Sequence, residues 1–296
     1  MASRNYDMIA IDLDGTLLGP DGRVSRENTI AIERARAEGL RVMIATGRGL
    51  VESEKILRSI DQRDPVAVAG GALTSDPVTQ ETIDRQPMQT EIVRHAIDEI
   101  HRSGHAALVL KDAASSGYDY LVLEGDHGAQ VDPVSRFWFE MTGVTVRYAA
   151  RLEHDEHPEL TIRVGMAAVP EEAGPIGDRL RSAFGADATF HKFTTQAGKL
   201  LSPDAPPEVE ILEVFDSRVT KWAAVLRQAS RFGVDPARIA AVGDEVNDLS
   251  MIAGAALGIA MGNAVPEIKA ASDVVTEPHD NDGVARAIER ILSGVW

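Results

Sequence analysis

The residues with the most chemistry in this 296-residue chain are aspartates that follow short apolar runs. Asp12 and Asp14 stand in Asp12-Leu13-Asp14-Gly15-Thr16, directly after Met8-Ile9-Ala10-Ile11. In an extended segment alternate side chains point the same way, so carboxylates two residues apart can share a site. Two close carboxylates repel, which a divalent cation relieves, and oxygen ligands of this kind suit Mg²⁺. One carboxylate can then attack a phosphorus atom while the other protonates the leaving oxygen. Gly15 permits a turn that aims backbone amides at a phosphate. An ordinary Asp-Gly turn is the competing explanation. An EF-hand calcium loop is not, because it needs glycine at position six and glutamate at position twelve, where Leu17 and Arg23 stand.

Three further segments could join the first. Gly243-Asp244-Glu245-Val246-Asn247-Asp248 follows Ile239-Ala240-Ala241-Val242. A helix starting there would set Asp244 and Asp248 about one turn apart, facing one cation. An acidic helix cap is the alternative. Thr46-Gly47-Arg48 follows Val42-Met43-Ile44-Ala45 and offers a hydroxyl, a flexible backbone and a guanidinium, a workable phosphate grip. The alternative is a loop with a solvated arginine. Lys221 taken alone passes for an ordinary helix-surface lysine.

These groups need elements that bring them together. Val66-Ala67-Val68-Ala69 stops at Gly70-Gly71, and Leu257-Gly258-Ile259-Ala260-Met261 stops at Gly262-Asn263. With the three runs above they make five apolar segments without alternation, the pattern of strands buried on both faces. Helices are predicted between them: one capped by Ser25 and ended by Gly39, one over Leu50 to Ile60, one over Ala285 to Leu292. Alternating strand and helix implies an α/β fold, a parallel sheet covered on both faces. Ligands bind beyond the carboxyl ends of such strands, where all five polar segments would converge.

The middle of the chain reads differently. Tyr118 to Leu123, Val144 to Tyr148, Thr161 to Met166 and Val209 to Phe215 alternate in part, predicting antiparallel strands with one solvated face. Helical patterns at Glu91 to Ser103 and Glu171 to Phe184 would cover the other face. Residues 85–215 are therefore expected to form an α+β domain inserted into a core of residues 1–84 and 216–296, with a loop at Pro203 to Pro207.

Taken together, the four segments resemble the haloacid dehalogenase superfamily of phosphohydrolases. Its motifs stand in order: Asp12-Leu13-Asp14-Gly15-Thr16, Thr46-Gly47-Arg48, Lys221, and Gly243-Asp244-x-x-Asn247-Asp248. The insert is similar to the large α/β cap of the Cof-type branch. So is the tail, Ile259-Ala260-Met261-Gly262-Asn263-Ala264 with Lys269, Ala271, Asp273 and Asp282-Gly283-Val284-Ala285. The resemblance implies a Rossmann-like core and a Mg²⁺-dependent phosphatase. Asp12 would be nucleophile and metal ligand. Asp14 would be general acid and base, its carbonyl also reaching the metal. Thr46 and Lys221 would hold the phosphoryl group. Asp244 would bind Mg²⁺, with Asp248 orienting a coordinated water. Candidate phosphate-contacting positions are Leu13, Gly15, Gly47, Arg48, Gly71 and Asn247. Two departures are visible. Gly70-Gly71-Ala72 replaces the Asn-Gly-Ala common in the branch, so a side-chain contact near the substrate is expected to be missing. Trp222 follows the lysine where glycine is frequent, so altered packing of that helix is expected.

The formal net charge of −16 argues against nucleic acid, whose backbone needs clustered Lys and Arg. A phosphate substrate would need local compensation from a metal, a lysine or helix N-termini. The absence of cysteine excludes disulfides and thiolate metal sites. No signal-peptide pattern opens the chain, and Met251 to Gly262 is too short to span a bilayer, so a cytosolic protein without a membrane partner is expected. His154-Asp155-Glu156-His157 lacks metal-site spacing and is predicted to be a solvated loop. Phe137-Trp138-Phe139 is predicted to be core of the insert. Gly254, Gly258 and Gly262 are predicted to mark close packing. Lys199 follows Gly198, but Phe193 replaces the first glycine of a phosphate-binding P-loop. The expected function is hydrolysis of a small phosphorylated metabolite, a sugar phosphate foremost. A phosphomutase or phosphotransferase sharing the phosphoaspartate, and a non-catalytic phosphate-binding regulator, are the competing functions.

Overall fold

The computed structural model describes residues 5–195 and 208–296. The loop expected over residues 203–207 and Lys199 lie outside them. Two compact units are present, Met1–Asp84 with Thr220–Trp296, and Arg85–Val219.

The first unit is built on a five-stranded sheet in the spatial order Val274–Val275, Leu257–Ala260, Ile239–Gly243, Met8–Ile11, Arg41–Ile44. All neighbours are parallel, and Met8 lies opposite both Ile239 and Arg41. Met8–Ile11, Ile239–Gly243 and Leu257–Ala260 are buried along their whole length, as unbroken apolar runs require. The α/β architecture read from the sequence is thus present. One predicted strand sits elsewhere. Val66–Val68 pairs antiparallel with Leu73–Ser75 in a separate three-stranded sheet and meets the parallel sheet only through an Ala45–Ala67 bridge. The opposite edge, beyond Leu257–Ala260, is taken by Val274–Val275, too short to show a pattern.

The helices fall close to their predicted bounds. Arg26–Ala37 is capped by the Ser25 hydroxyl, which accepts from the Asn28 amide at 3.1 Å. Leu50–Ser59 and Gly283–Leu292 also lie close to their predicted bounds, without a side-chain hydrogen bond from the N-cap residue. Buried Asn28 donates its side-chain amide to Leu17 O (3.3 Å) and accepts from Ala285 N (2.9 Å), tying the turn after Asp12 to two helices.

The second unit carries a six-stranded sheet in the order Ala188–Thr195, Val209–Asp216, Thr161–Ala168, Ala107–Lys111, Tyr120–Leu123, Val146–Ala149. Its pairs are antiparallel except the last, which is parallel. The helices Thr90–Arg102 and Pro170–Phe184 pack their apolar sides on one face, through Ile92, Ala96, Ile176 and Leu180 against Val109, Val164, Met166 and Leu212. The other face was expected to be solvated, yet Thr161–Ala168 is buried throughout. Its polar side chains bury by pairing. Arg163 meets Glu213 at 2.5 Å and donates to Tyr120 Oη at 2.6 Å. The helix Pro133–Thr142 then lays Phe139 on Tyr120, ring centroids 4.7 Å apart. Of the three aromatics predicted as core, only Phe139 is buried, because a helix turns its two predecessors partly outward.

The acidic run at His154 is a second correction. The Asp155 side chain is fully buried, accepting from Lys111 Nζ, from Tyr118 Oη at 3.3 Å and from His157 N at 3.0 Å. Lys111 also donates to His157 O (3.0 Å) and Thr161 Oγ1 (2.7 Å), so a buried ammonium staples the loop to the sheet. Among the described residues no helix is long and apolar enough to cross a membrane. Asp155→Ala leaves that ammonium without its counter-charge, and urea unfolding should show a loss of about 3–5 kcal/mol. An unchanged midpoint would show that the pair does not hold the loop.

Candidate active site

Asp12 emerges at the end of its strand with its amide on Val242 O at 3.2 Å. The chain then makes a wide turn in which Leu17 N returns to Asp12 O (3.3 Å) and Leu18 N to Leu13 O (2.9 Å). Gly15 makes the turn possible at φ +73°, where other residues are strained. Space also demands glycine, since a Cβ there would lie 2.1 Å from Asp244 Oδ2. The neighbouring Thr16 Oγ1 donates to Asp244 Oδ1 at 2.7 Å. One turn thus supplies a carboxylate, a hydroxyl that holds a second carboxylate, and the gap that admits it.

The second carboxylate pair is organised by its own backbone. Val246–Asp248 forms a tight 3₁₀ turn before the helix Leu249–Gly254. Asp248 folds back so that Oδ2 accepts from Asp244 N (3.0 Å) and Glu245 N (3.2 Å). A Cβ on Gly243 would lie 2.6 Å from the Asp248 side chain, so glycine there is a packing requirement. Asp248 therefore caps the loop and faces the site at once, joining two expectations treated as alternatives in the sequence.

Lys221 begins the helix Lys221–Phe232, with Thr220 Oγ1 accepting from Ala223 N at 3.0 Å. A cation at a helix N-terminus opposes the helix dipole. Here two carboxylates hold it: Nζ lies 2.6 Å from Asp12 Oδ1 and 2.6 Å from Asp248 Oδ1. Burial alone would lower the pKa of this amine, but the adjacent Asp12 and Asp248 charges prevail and keep it above the usual lysine range. Trp222 leaves this geometry intact because it lies over Gly254, where a Cβ would come within 2.4 Å of the indole Nε1.

The carboxylates of Asp12, Asp244 and Asp248 gather within 4.8 Å of one another. Three acids against one amine leave a formal charge of −2 in a buried place. Asp12 is raised well above the usual carboxylate range by burial and then by repulsion from Asp248. Burial, with Asp248 adding to it, raises Asp244 to about 7, although the Thr16 hydrogen bond works the other way. An all-oxygen set with uncompensated charge fits a divalent cation. Among the described residues no donor reaches Asp12 Oδ2, whereas both Asp248 oxygens are occupied. Asp12 and Asp244 are thus the acids that could hold such an ion directly.

The remaining candidates divide. Asp14 stands outside the cluster, its half-exposed carboxylate gripped by Arg48 Nε (2.8 Å) and Nη2 (2.5 Å). Neither the shared cation site read for Asp12 and Asp14 nor a solvated Arg48 is what the side chains show. Thr46 is buried and its hydroxyl accepts from Arg48 N at 3.1 Å, fixing the loop that presents the guanidinium. Gly47 lies beside Asn247, 3.8 Å from a Cβ position to Nδ2, and Asn247 Oδ1 is buried with no hydrogen-bond partner. Leu13 is buried, so only its backbone can face a ligand. Gly71, at φ +95°, is pressed against the helix start, a Cβ falling 2.4 Å from Thr220 O. Two residues without an assigned role also belong here. One is Thr16. The other is Asn263, whose Nδ2 donates to Gly15 O at 2.8 Å and reaches Asp244 Oδ2 at 3.4 Å. Asn263 follows the strand Leu257–Ala260 much as Asp12 follows Met8–Ile11, and that placement was the available signal.

Comparison with known proteins identifies the family. The sequence matches the family described as haloacid dehalogenase-like hydrolase over residues 9–288. The phosphatase YwpJ of Bacillus subtilis is 28% identical over 313 residues, an alignment covering 96% of this chain and 99% of that protein. The 5-amino-6-(5-phospho-D-ribitylamino)uracil phosphatase YitU of the same organism is 26% identical over 308 residues, covering 99% and 100%. The crystal structure of a haloacid dehalogenase-like hydrolase from Bacteroides thetaiotaomicron superposes with a TM-score of 0.75 at 22% identity, covering 97% of this chain and 99% of that one.

The crowding at Gly15 yields a test. In Gly15→Ala the new methyl must displace the Asp244 carboxylate, so divalent-cation affinity measured by calorimetry should fall about tenfold or more, a loss of about 1.4 kcal/mol. Unchanged affinity would show that Asp244 does not hold the ion.

Proposed function

The chain belongs to the haloacid dehalogenase-like hydrolases and is a phosphatase, and from that premise we propose that it hydrolyses a small phosphorylated metabolite through transient phosphorylation of Asp12, with Mg²⁺ as cofactor. One observation carries the reading. Asp12 is buried with one oxygen on Lys221 and, among the described residues, no donor on the other, inside an acidic cluster whose charge one lysine does not balance. That is a nucleophile oriented by its neighbour and waiting for cations and a phosphoryl group.

A carboxylate oxygen of Asp12 forms a bond to phosphorus as the ester oxygen leaves. Asp14, freed from Arg48, gives that oxygen its proton. Asp14 then takes a proton from water, the water oxygen bonds to phosphorus, and Asp12 is released with inorganic phosphate. Lys221 and the Thr46–Arg48 loop hold the non-bridging phosphoryl oxygens, whose charge grows toward the transition state. Asp12 and Asp244, with Asp248 behind them, would hold Mg²⁺, which would supply charge neutralisation. The inserted unit, residues 85–215, selects the substrate. A sugar or sugar-alcohol phosphate is the favoured class, since YitU is named for a phosphoribityl substrate. The charge of −16 disfavours nucleic acid as a partner, and a cytoplasmic metabolite pool is the proposed setting.

A panel of sugar phosphates together with 5-amino-6-(5-phospho-D-ribitylamino)uracil tests this by phosphate release. Asp12→Asn should reduce release to background, and chelation followed by Mg²⁺ should abolish and restore it. Full activity in Asp12→Asn would end the proposal. Asp14→Asn should slow turnover by about 10²–10⁴-fold. With an activated aryl phosphate, which needs no acid for its leaving group, that variant should accumulate phosphorylated Asp12, detectable by mass spectrometry. Turnover of alkyl and aryl esters impaired equally, with no accumulated phosphoenzyme, would remove Asp14 from both roles.

A further inference from the structure

Asn263 sits on a turn that is held from several directions. Gly262 N donates to Glu277 O (3.2 Å), Lys269 Nζ donates to Gly262 O (2.6 Å), and Ala264 N donates to Met261 O (2.9 Å). Val265 N donates to Asp244 O at 3.0 Å, which ties the turn to the loop bearing the acid. A Cβ on Gly262 would fall 2.6 Å from Pro278 N, so the turn also fits tightly against the segment after it. From this fixed base the Asn263 side chain extends to three loops at once.

The orientation of its amide follows from the network. His279 N donates to Asn263 Oδ1 at 2.9 Å, so the carbonyl end must face His279. The NH₂ end then donates to Gly15 O at 2.8 Å and reaches Asp244 Oδ2 at the outer limit of 3.4 Å. Asp244 is thereby located by three neighbours: the Thr16 hydroxyl on Oδ1, the Asn263 amide on Oδ2, and the bare Cα of Gly15 beside it. Both donors are neutral. They fix the carboxylate without cancelling its charge, which stays available to a cation. Lys221, by contrast, holds Asp12 and Asp248 with a full charge.

We propose that Asn263 is a positioning residue of the metal centre: it braces the Asp12–Thr16 turn against Asp244 and so sets the affinity for the divalent cation. The inference rests on the metal-dependent reading above but is read by binding rather than turnover. Restraint of this kind favours a small ion of strict geometry, whereas a loosened carboxylate suits a larger one that accepts two oxygens from one acid. Removing the brace should weaken Mg²⁺ binding and narrow the preference for Mg²⁺ over Ca²⁺.

The experiment is calorimetric titration of the metal-free full chain with Mg²⁺ and with Ca²⁺, on the unsubstituted protein, Asn263→Ala, Thr16→Val and the double variant. Asn263 is exposed, so its truncation opens no core cavity, and thermal melting without metal checks the fold. The expected result is a Kd for Mg²⁺ raised about tenfold in Asn263→Ala, a smaller change for Ca²⁺, and an unchanged metal-free melting midpoint. Because both side chains hold one carboxylate, the two substitutions should not combine as independent factors. A lowered melting midpoint with an unchanged Mg²⁺ Kd would mean a merely structural turn and overturn the proposal. So would losses that simply multiply. Failure to find a substrate would leave this result standing. Failure of the unsubstituted protein to bind Mg²⁺ would instead count against the functional reading.

Discussion

The structure depends on one electrostatic arrangement, a single buried ammonium between two carboxylates with a third acid beside them. Lys221 sits where the helix dipole disfavours it, and it stays because Asp12 and Asp248 each accept from it at 2.6 Å. Burying charge without partners costs several kcal/mol per ion, so the rest of the core is arranged to satisfy these groups. Asp248 turns back onto two amides of its own loop. Thr16 and Asn263 reach Asp244. Gly15, Gly71 and Gly243 give up side chains where any Cβ would collide with the cluster or its supports. What remains unbalanced is negative, and that remainder is what a divalent cation and a phosphoryl group would share.

The inserted unit handles buried charge in the opposite manner. Lys111 meets Asp155 and Arg163 meets Glu213, so these buried charges find their opposites within the unit. Such pairs add little net stability over an apolar core, but breaking one partner from the other is expensive. They keep the sheet and its loops in a single arrangement. The acidic cluster that one lysine leaves unbalanced lies instead at the carboxyl ends of the parallel strands. A chain with a net charge of −16 would otherwise offer no reason for a phosphate to choose that place.

Much of this was legible in the sequence, for a definite reason. Apolar runs ending in Asp12, Thr46 and Gly243-Asp244 announce buried strands, and a parallel sheet brings their ends together whatever lies between. Lys221 had no such signal, and only its place in the order of motifs singled it out. The sequence misled where polarity was read as exposure. Asp155 and Arg163 look like solvated residues, yet each is buried by a partner of opposite sign from a distant segment, which local pattern does not encode. The Asp14–Arg48 pair failed to show for the same reason, since alternation places a carboxylate on a face without naming its counter-ion. Val274–Val275 is too short to have a period, and Val66–Val68 has the composition of a sheet strand but joins another sheet. Asn263 had the right position but an uncharged side chain, so nothing in its type asked for attention.

The pairing of Met8 with Ile239 sets an order of events during synthesis. The strand carrying Asp12 is made before the inserted unit, but its inner neighbour Ile239–Gly243 is made only after it. Until then one edge of Met8–Ile11 offers unpaired amides and carbonyls, and the Asp12 carboxylate has neither Lys221 nor the second acidic loop. Long-range pairing of this kind folds slowly and exposes strand edges while it waits. The inserted unit, with its strands drawn from residues 107–216, can complete itself first. Once residue 219 is made, the nascent chain has a complete middle beside a core that still lacks Ile239–Gly243, and the acidic cluster can form only after that strand joins.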